Sequence, residues 1–161
     1  MLILDVSKLA GLYTTPLKNM AKFLIKLRGV ELPTTVKMGK NITFAHNAYG
    51  SVIHSKTVIE NDVFIFPGVT IGKADIFENW KNSKVKGFII EEGAALCSGC
   101  KVLCKEGTLT VGRRAIVAAN AVLLNSIGPY EIWGVPAKFL GYNMHGLFKD
   151  GLSVCDLKKG E

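Results

Sequence analysis

Val52 to Lys73 reads VIHSKTVIENDVFIFPGVTIGK. Large aliphatic residues fall at Ile53, Ile59, Ile65 and Ile71, six apart. Four positions after each of the first three stand Thr57, Val63 and Val69, all small or β-branched. A period of six fits neither the 3.6-residue helix nor the two-residue alternation of a strand. It fits a prism-shaped parallel β-helix, in which each hexapeptide is one short strand plus one corner. The aliphatic points into the prism, the small residue packs beside the next corner, and Asn61, Gly68 and Gly72 supply turn residues. The expected fold class is an all-β solenoid of hexapeptide repeats.

The rule extends outward from this stretch. Upstream, Met38 and Phe44 precede Gly39 and Ala45. The step from Phe44 to Ile53 is nine residues, so Asn47 to Gly50 is expected to bulge out beside His46. Downstream, Lys73 to Phe88 (KADIFENWKNSKVKGF) breaks the pattern; it is polar and Asn-rich and reads as a loop projecting from the prism. Loops of this length in compact domains are usually functional. The pattern resumes at Ile90, Leu96 and Val102, with Ala94 and Cys100 at the small positions. A second nine-residue step, containing Lys105-Glu106-Gly107, leads to Val111, Val117 and Leu123, with Ala115, Ala121 and Ile127 between. Burying each such aliphatic is worth about 1.5–3 kcal/mol, so an Asp at Ile65 or Val117 is expected to abolish folding.

The chain thus divides into a helical cap (residues 1–30), coils (31–127, with the loop at 73–88) and a C-terminal tail (128–161). In the cap, Thr15 reads as an N-cap and Pro16 as a first-turn residue. Leu17, Met20, Phe23, Leu24 and Leu27 share one helical face, with Lys18, Lys22 and Lys26 largely off it. Such a helix either lies on an anionic membrane or buries its stripe on the first coil. The stripe is about as wide as ordinary packing requires, which favours the cap. In the tail, Tyr130, Trp133, Phe139 and Tyr142 are expected to close the other end, and the last residues to fray.

At 161 residues the chain has the size of one domain, and 48% hydrophobic residues against 20% charged exclude a disordered chain. The net charge of +7 invites an anionic partner such as a phosphorylated cofactor or a lipid phosphate. The basic residues are scattered and no nucleic-acid recognition motif is present, so nucleic acid is not the expected partner. Asp5 interrupts the first apolar residues and no cleavage pattern follows, so the expected location is cytoplasmic, with reduced cysteines. Cys97, Cys100 and Cys104 lack the four matched ligands of a structural zinc site and read as core fillers.

These coils, followed by Gly134-Val135-Pro136-Ala137-Lys138, resemble the hexapeptide-repeat acyltransferases over about residues 29–141. The likeness is greatest to serine acetyltransferases and to the O-acetyltransferases of capsule, O-antigen and exopolysaccharide synthesis. It rests on Met38-Gly39, Phe44-Ala45-His46, Val58 to Val63 (VIENDV), Gly68 to Gly72 (GVTIG) and the GVPAK tail. The resemblance implies a left-handed β-helix, an exception to the usual right-handed crossover. It also implies a homotrimer with an acetyl-CoA groove between neighbouring subunits, and no metal.

Moving an acetyl group from a thioester to a hydroxyl requires deprotonating a poor nucleophile near neutral pH, work suited to a neutral imidazole. The resemblance assigns His46 as this general base. Glu31, in Gly29-Val30-Glu31-Leu32, falls where the family places an acid that orients the histidine. An ordinary surface Glu before a proline turn fits Glu31 as well. For the cofactor, Gly72, Ser98, Gly99, Ala118 and Ala119 are candidates to line the pantetheine path, where small residues let the arm approach backbone amides. Lys138, Lys73 and Arg113 or Arg114 are candidates for the nucleotide phosphates. Every small residue is also one that a prism corner needs anyway.

Three departures bear on the acceptor. The acid common before the catalytic histidine is Ala45. A second histidine falls by count on Gly87, with Lys86 beside it. The large helical domain that precedes the prism in serine acetyltransferases is replaced by about thirty residues. Together they favour a sugar or polysaccharide-precursor hydroxyl, with serine O-acetylation as the alternative. A catalytically silent scaffold is a second class. A zinc carbonic anhydrase on the same fold is a third, disfavoured because only His46, His54 and His145 exist. His54 follows Ile53 and is expected on the surface, with acceptor binding the lesser reading; His145 lies in the tail with no expected role.

Overall fold

In the computed structural model, residues 5–75, 77, 80–135 and 139–142 are described. Each turn of the chain lays down three short strands. The first coil carries β1 (Lys37–Met38), β2 (Thr43–Phe44) and β3 (Val52–Ile53). The second carries β4 (Thr57–Ile59), β5 (Phe64–Ile65) and β6 (Thr70–Lys73). The third carries β7 (Val85–Ile90), β8 (Ala95–Leu96) and β9 (Lys101–Cys104). The fourth carries β10 (Gly107–Val111), β11 (Ile116–Val117) and β12 (Val122–Leu123). The chain then returns through β13 (Glu131–Trp133) to β14 (Phe139–Tyr142).

Equivalent strands of successive coils pair in parallel, which makes three faces: β1-β4-β7-β10, β2-β5-β8-β11-β13-β14 and β3-β6-β9-β12. Among the described residues only β13 and β14 pair antiparallel. The hexapeptide aliphatics stack in register up each face. Met38, Ile59, Ile90 and Val111 align on the first. Phe44, Ile65, Leu96 and Val117 align on the second, and Ile53, Ile71, Val102 and Leu123 on the third. All but Met38 are buried, as are the small residues Thr57, Val63, Val69, Ala94, Cys100, Ala115 and Ala121. The sixfold sequence period is therefore the period of the core.

Three corners join the faces. The second corner, between the second and third faces, stacks Gly50, Gly68 and Gly99 (φ +74°, +71° and +72°) beneath Asn120 (φ +57°). A side chain on Gly99 would collide with the Asn120 amide oxygen, so glycine is required there twice over, by φ and by space. The third corner, between the third and first faces, takes the long insertion. That insertion is shorter than the expected 73–88, because β6 runs to Lys73 and β7 begins at Val85. Val85 and Phe88 are buried on the pairing with β4 and β10, so the segment that looked polar is strand from Val85 onward.

The N-terminal residues also depart from expectation. Asp5 caps α1 (Val6–Gly11), its carboxylate accepting the Lys8 N–H at 2.8 Å. Val6 and Leu9 of α1, fully buried, join the core. Thr15 acts near the start of α2 (Lys18–Leu27), its hydroxyl accepting the Leu17 N–H at 3.2 Å. The face of α2 that packs is Ala21 and Ile25, with Leu24 half-buried. Leu17, Met20, Phe23 and Leu27, expected to pack, are exposed. The apolar sector of the helix is wider than its seat, and the small Ala21 lets the edge beside it settle against the fold. At the far end, Trp133 donates to the Glu131 carboxylate at 2.9 Å, while Phe139 and Tyr142 meet edge-on, 5.0 Å between ring centres.

Candidate active site

The first nine-residue step forms the expected bulge at the second corner. Ala45–Ala48 make a tight turn in which His46, Asn47 and Ala48 all take positive φ (+50°, +58° and +45°), the left-handed region. A run of three non-glycine residues in the left-handed region is strained, at about 1–2 kcal/mol per residue. The turn is held by its neighbours. The Asn47 amide oxygen accepts the Val6 N–H at 3.1 Å, and the buried Ser51 hydroxyl donates to the Phe66 carbonyl and accepts the Val69 N–H, both at 3.1 Å. Strain kept by such ties sets the His46 side chain at the corner, where it is exposed.

Glu31 sits one rung below, bridged to Val52 of the His46 coil. Its N–H donates to the Ser51 carbonyl and its carbonyl accepts the Ile53 N–H, both at 2.9 Å. Among the described residues, no hydrogen bond or ion pair joins the Glu31 carboxylate to the His46 ring, and both side chains are exposed. The chain brings the two to neighbouring rungs and leaves the dyad open.

Of the cofactor candidates, Ser98, Gly99, Ala118 and Ala119 lie on the second corner too, two and three coils above the His46 turn. Ser98 and Ala119 are exposed and Ala118 is half-buried, so short side chains line the upper two rungs of the corner, with Phe66, Pro67 and Gly68 on the rung between them and the His46 turn. Beside it, the half-buried Lys101 donates to the carbonyls of Gly68 and Gly99 at 2.9 and 3.0 Å. Sequence reasoning passed over Lys101; a lone lysine directly after a buried Cys in a coil was the available signal.

The remaining candidates are elsewhere. Gly72 and Lys73 belong to the third corner. Arg113 and Arg114 are at the first, where Glu91 accepts the Arg113 N–H at 2.7 Å. Lys138 lies outside the described residues, as do His145, the Pro136-Ala137 part of the GVPAK segment and the residues expected to fray.

The third corner holds the better partnered histidine. His54 Nδ1 accepts the Lys56 N–H at 3.1 Å, which leaves the ring proton of the neutral form on Nε2. Its ring lies 5.2 Å from that of Phe88, tilted by 56°. Burial, and then the charges of Lys56 and Lys73, hold the His54 imidazole below its ordinary pKa, with Asp75 opposing them. Asp75 is itself buried; Ser83 donates to its Oδ2 at 2.7 Å and Lys73 Nζ stands 3.6 Å from its Oδ1. The Ser83 bond is the largest influence keeping the Asp75 carboxyl below its usual range. His54 is thus half-buried and anchored, not the plain surface residue expected. At Gly87, a Cβ would come within 2.9 Å of the Lys56 carbonyl oxygen, so a histidine could not stand there without moving backbone.

The cysteines are packing residues. Cys100 and Cys104 are buried and Cys97 is half-buried. Burial pushes the Cys100 thiol up to about 12 and raises Cys97 and Cys104 as well. Among the described residues no group of three His, Cys, Asp or Glu gathers to hold a metal. His46 lines neither of two hollows. One, of about 730 Å³, lies between α1 and the first coil; the other, of about 850 Å³, lies at the third corner beside Lys56, Lys84 and Lys86.

Fold and corner together define a parallel β-helix of hexapeptide repeats. No protein-family model matches the chain. The chain resembles serine acetyltransferases: it is 37% identical to that of Haemophilus influenzae over 112 residues, 69% of this chain and 39% of the relative. It superposes on a truncated serine acetyltransferase apoenzyme with a TM-score of 0.63 at 30% identity, covering 83% of this chain and 54% of that one. It superposes on a serine acetyltransferase complex with CoA with a TM-score of 0.61 at 29% identity, covering 83% and 53%. The chain therefore spans about two fifths of the length of the curated relatives it matches. These relatives are named for serine, whereas the sequence departures pointed to a sugar hydroxyl.

Proposed function

We propose that the protein is an acetyl-CoA-dependent O-acetyltransferase with His46 as general base. The observation that carries this reading is the strained His46 turn, its side chain exposed on the same corner as the short side chains of Ser98, Gly99, Ala118 and Ala119. In the step, the neutral imidazole takes the acceptor hydroxyl's proton as the oxygen attacks the thioester carbonyl. The C–S bond breaks, and the thiolate of CoA leaves with a proton from the imidazolium. A positioned base of this kind supplies about 10²–10⁴-fold. Glu31, one rung away, would orient the imidazole once substrate or a second subunit closes the site.

Serine is the acceptor best supported, because the relatives that share these coils are named for it. A sugar hydroxyl is the second reading. It is favoured by Ala45, which puts no carboxylate at the position before His46 to meet an amino group, and by Gly87, whose packing excludes a second imidazole.

A homotrimer fits the scatter of the candidates. Gly72 and Lys73 lie on the opposite edge of the third face from His46, so a neighbouring copy's third corner would bring them to the second corner. Incubation with acetyl-CoA and either L-serine or sugar acceptors, following free thiol, tests the reading. Thiol release that depends on a hydroxyl acceptor and is lost in His46→Ala supports it; acceptor-dependent release unchanged in that variant contradicts it. Release with sugars but not serine would select the second reading.

A further inference from the structure

The exposed side of α2 is an unusual surface. Leu17 at its N-cap is 49% exposed, and Met20, Phe23 and Leu27 are 51%, 61% and 67% exposed. At 100° per residue these four form one stripe, bordered on one side by the packed Ala21 and Ile25. The remaining arc holds Lys18, Lys22 and Lys26, all exposed. Between Asp5 and Glu31 the chain carries Lys8, Lys18, Lys22, Lys26 and Arg28 and no acid at all. Gly29 (φ +71°) follows, where the Tyr49 ring fills the place of a Cβ, with Cε2 2.7 Å from it. Tyr49 is 70% exposed and stands three residues from His46. An aromatic thus flanks the end of the stripe on the His46 turn itself.

We infer that this face docks on an anionic lipid bilayer. A row of large apolar side chains lacks burial within the chain, and contiguous patches of this kind mark interaction surfaces. The charge beside it selects the partner. Against anionic headgroups the stripe enters the acyl boundary, and the lysines of the opposite, polar arc, Lys26 nearest the stripe, add their charge at headgroup level. The same contact holds the His46 turn close to the membrane surface. It does so whichever hydroxyl is acetylated.

Co-sedimentation of the full chain with vesicles tests this. Vesicles of equal parts phosphatidylcholine and phosphatidylglycerol should bring the protein down, vesicles of phosphatidylcholine alone should not, and salt should release it. Each lysine near such a surface strengthens partitioning about fivefold, so K18Q/K22Q/K26Q should weaken it roughly 100-fold. F23D/L27D should abolish it while leaving the circular dichroism and native mass unchanged, since both side chains are already in water. Failure to sediment, equal sedimentation with both vesicles, or a fall in native mass in F23D/L27D would each overturn the inference. The last outcome would make the stripe a contact between subunits.

Discussion

The second and third corners of the prism each carry one histidine, and the two are treated differently. At the third corner His54 is half-buried, its Nδ1 bonded, its ring against Phe88, with the Lys73–Asp75–Ser83 group close by. At the second corner His46 is exposed, on a strained turn held from outside, beside a carboxylate to which it is not bonded. A side chain whose contacts are complete within its own chain is doing structural work. One whose backbone is fixed and whose ring has no partner among the described residues is open to meet a ligand. On the proposed function, the difference fits chemistry at His46 and anchoring at His54.

That contrast can be broken by substitution, and the largest effect should fall on activity. His46→Ala should lower turnover about 10²–10⁴-fold in the thiol-release assay, with the melting temperature little changed. Equal loss in a His54 variant would erase the distinction between the two corners. Gly99→Ala should cost roughly 2–5 kcal/mol, from backbone strain plus the collision with Asn120, read by denaturant unfolding. Its counterpart at the third corner, Gly107→Ala, has the same sign of φ (+69°) and nothing within 4 Å of the added carbon. It should cost only about 1–2 kcal/mol. Glu31→Gln sharpens the His46 side: turnover should fall about tenfold or more with the KM for acetyl-CoA unchanged if the carboxylate orients the imidazole.

The smallest effect concerns pH. His54 titrates below its ordinary 6.5 in the folded chain, so the unfolded chain binds the extra proton first. The stability that neutral His54 contributes is complete above pH 6.5 and is lost as pH falls from there through the lowered folded value. His54→Asn, which keeps an acceptor for the Lys56 N–H, should flatten that acid-side slope in thermal melts at successive pH values. An unchanged slope would remove His54 from the stability of the third corner.

Much of this architecture was legible from the six-residue spacing alone, because a prism core repeats its large residue once per strand. Ile53, Ile59, Ile65 and Ile71 are buried in the order their spacing required. The bulge at His46 was legible for the same reason, since three surplus residues have to leave the prism. What failed were features decided by surroundings. The wheel of α2 shows an apolar sector but not which part is seated, and the seat went to Ala21 and Ile25. The KVKGF segment alternates like a strand, yet two lysines and a glycine disguised Val85 and Phe88 as loop. The grouping of His54 with Asp75 spans two coils and an insertion, and no spacing rule links them. Whether Glu31 meets His46 depends on rotamers that only substrate or a neighbouring subunit would fix.

The most direct measurement is the rate of thiol release from acetyl-CoA with L-serine, and separately with sugar acceptors, for the native chain and His46→Ala side by side. The account predicts acceptor-dependent release by the native chain and a loss of at least about a hundredfold in the variant, at equal folded fraction. Acceptor-dependent release at the same rate in both would contradict it.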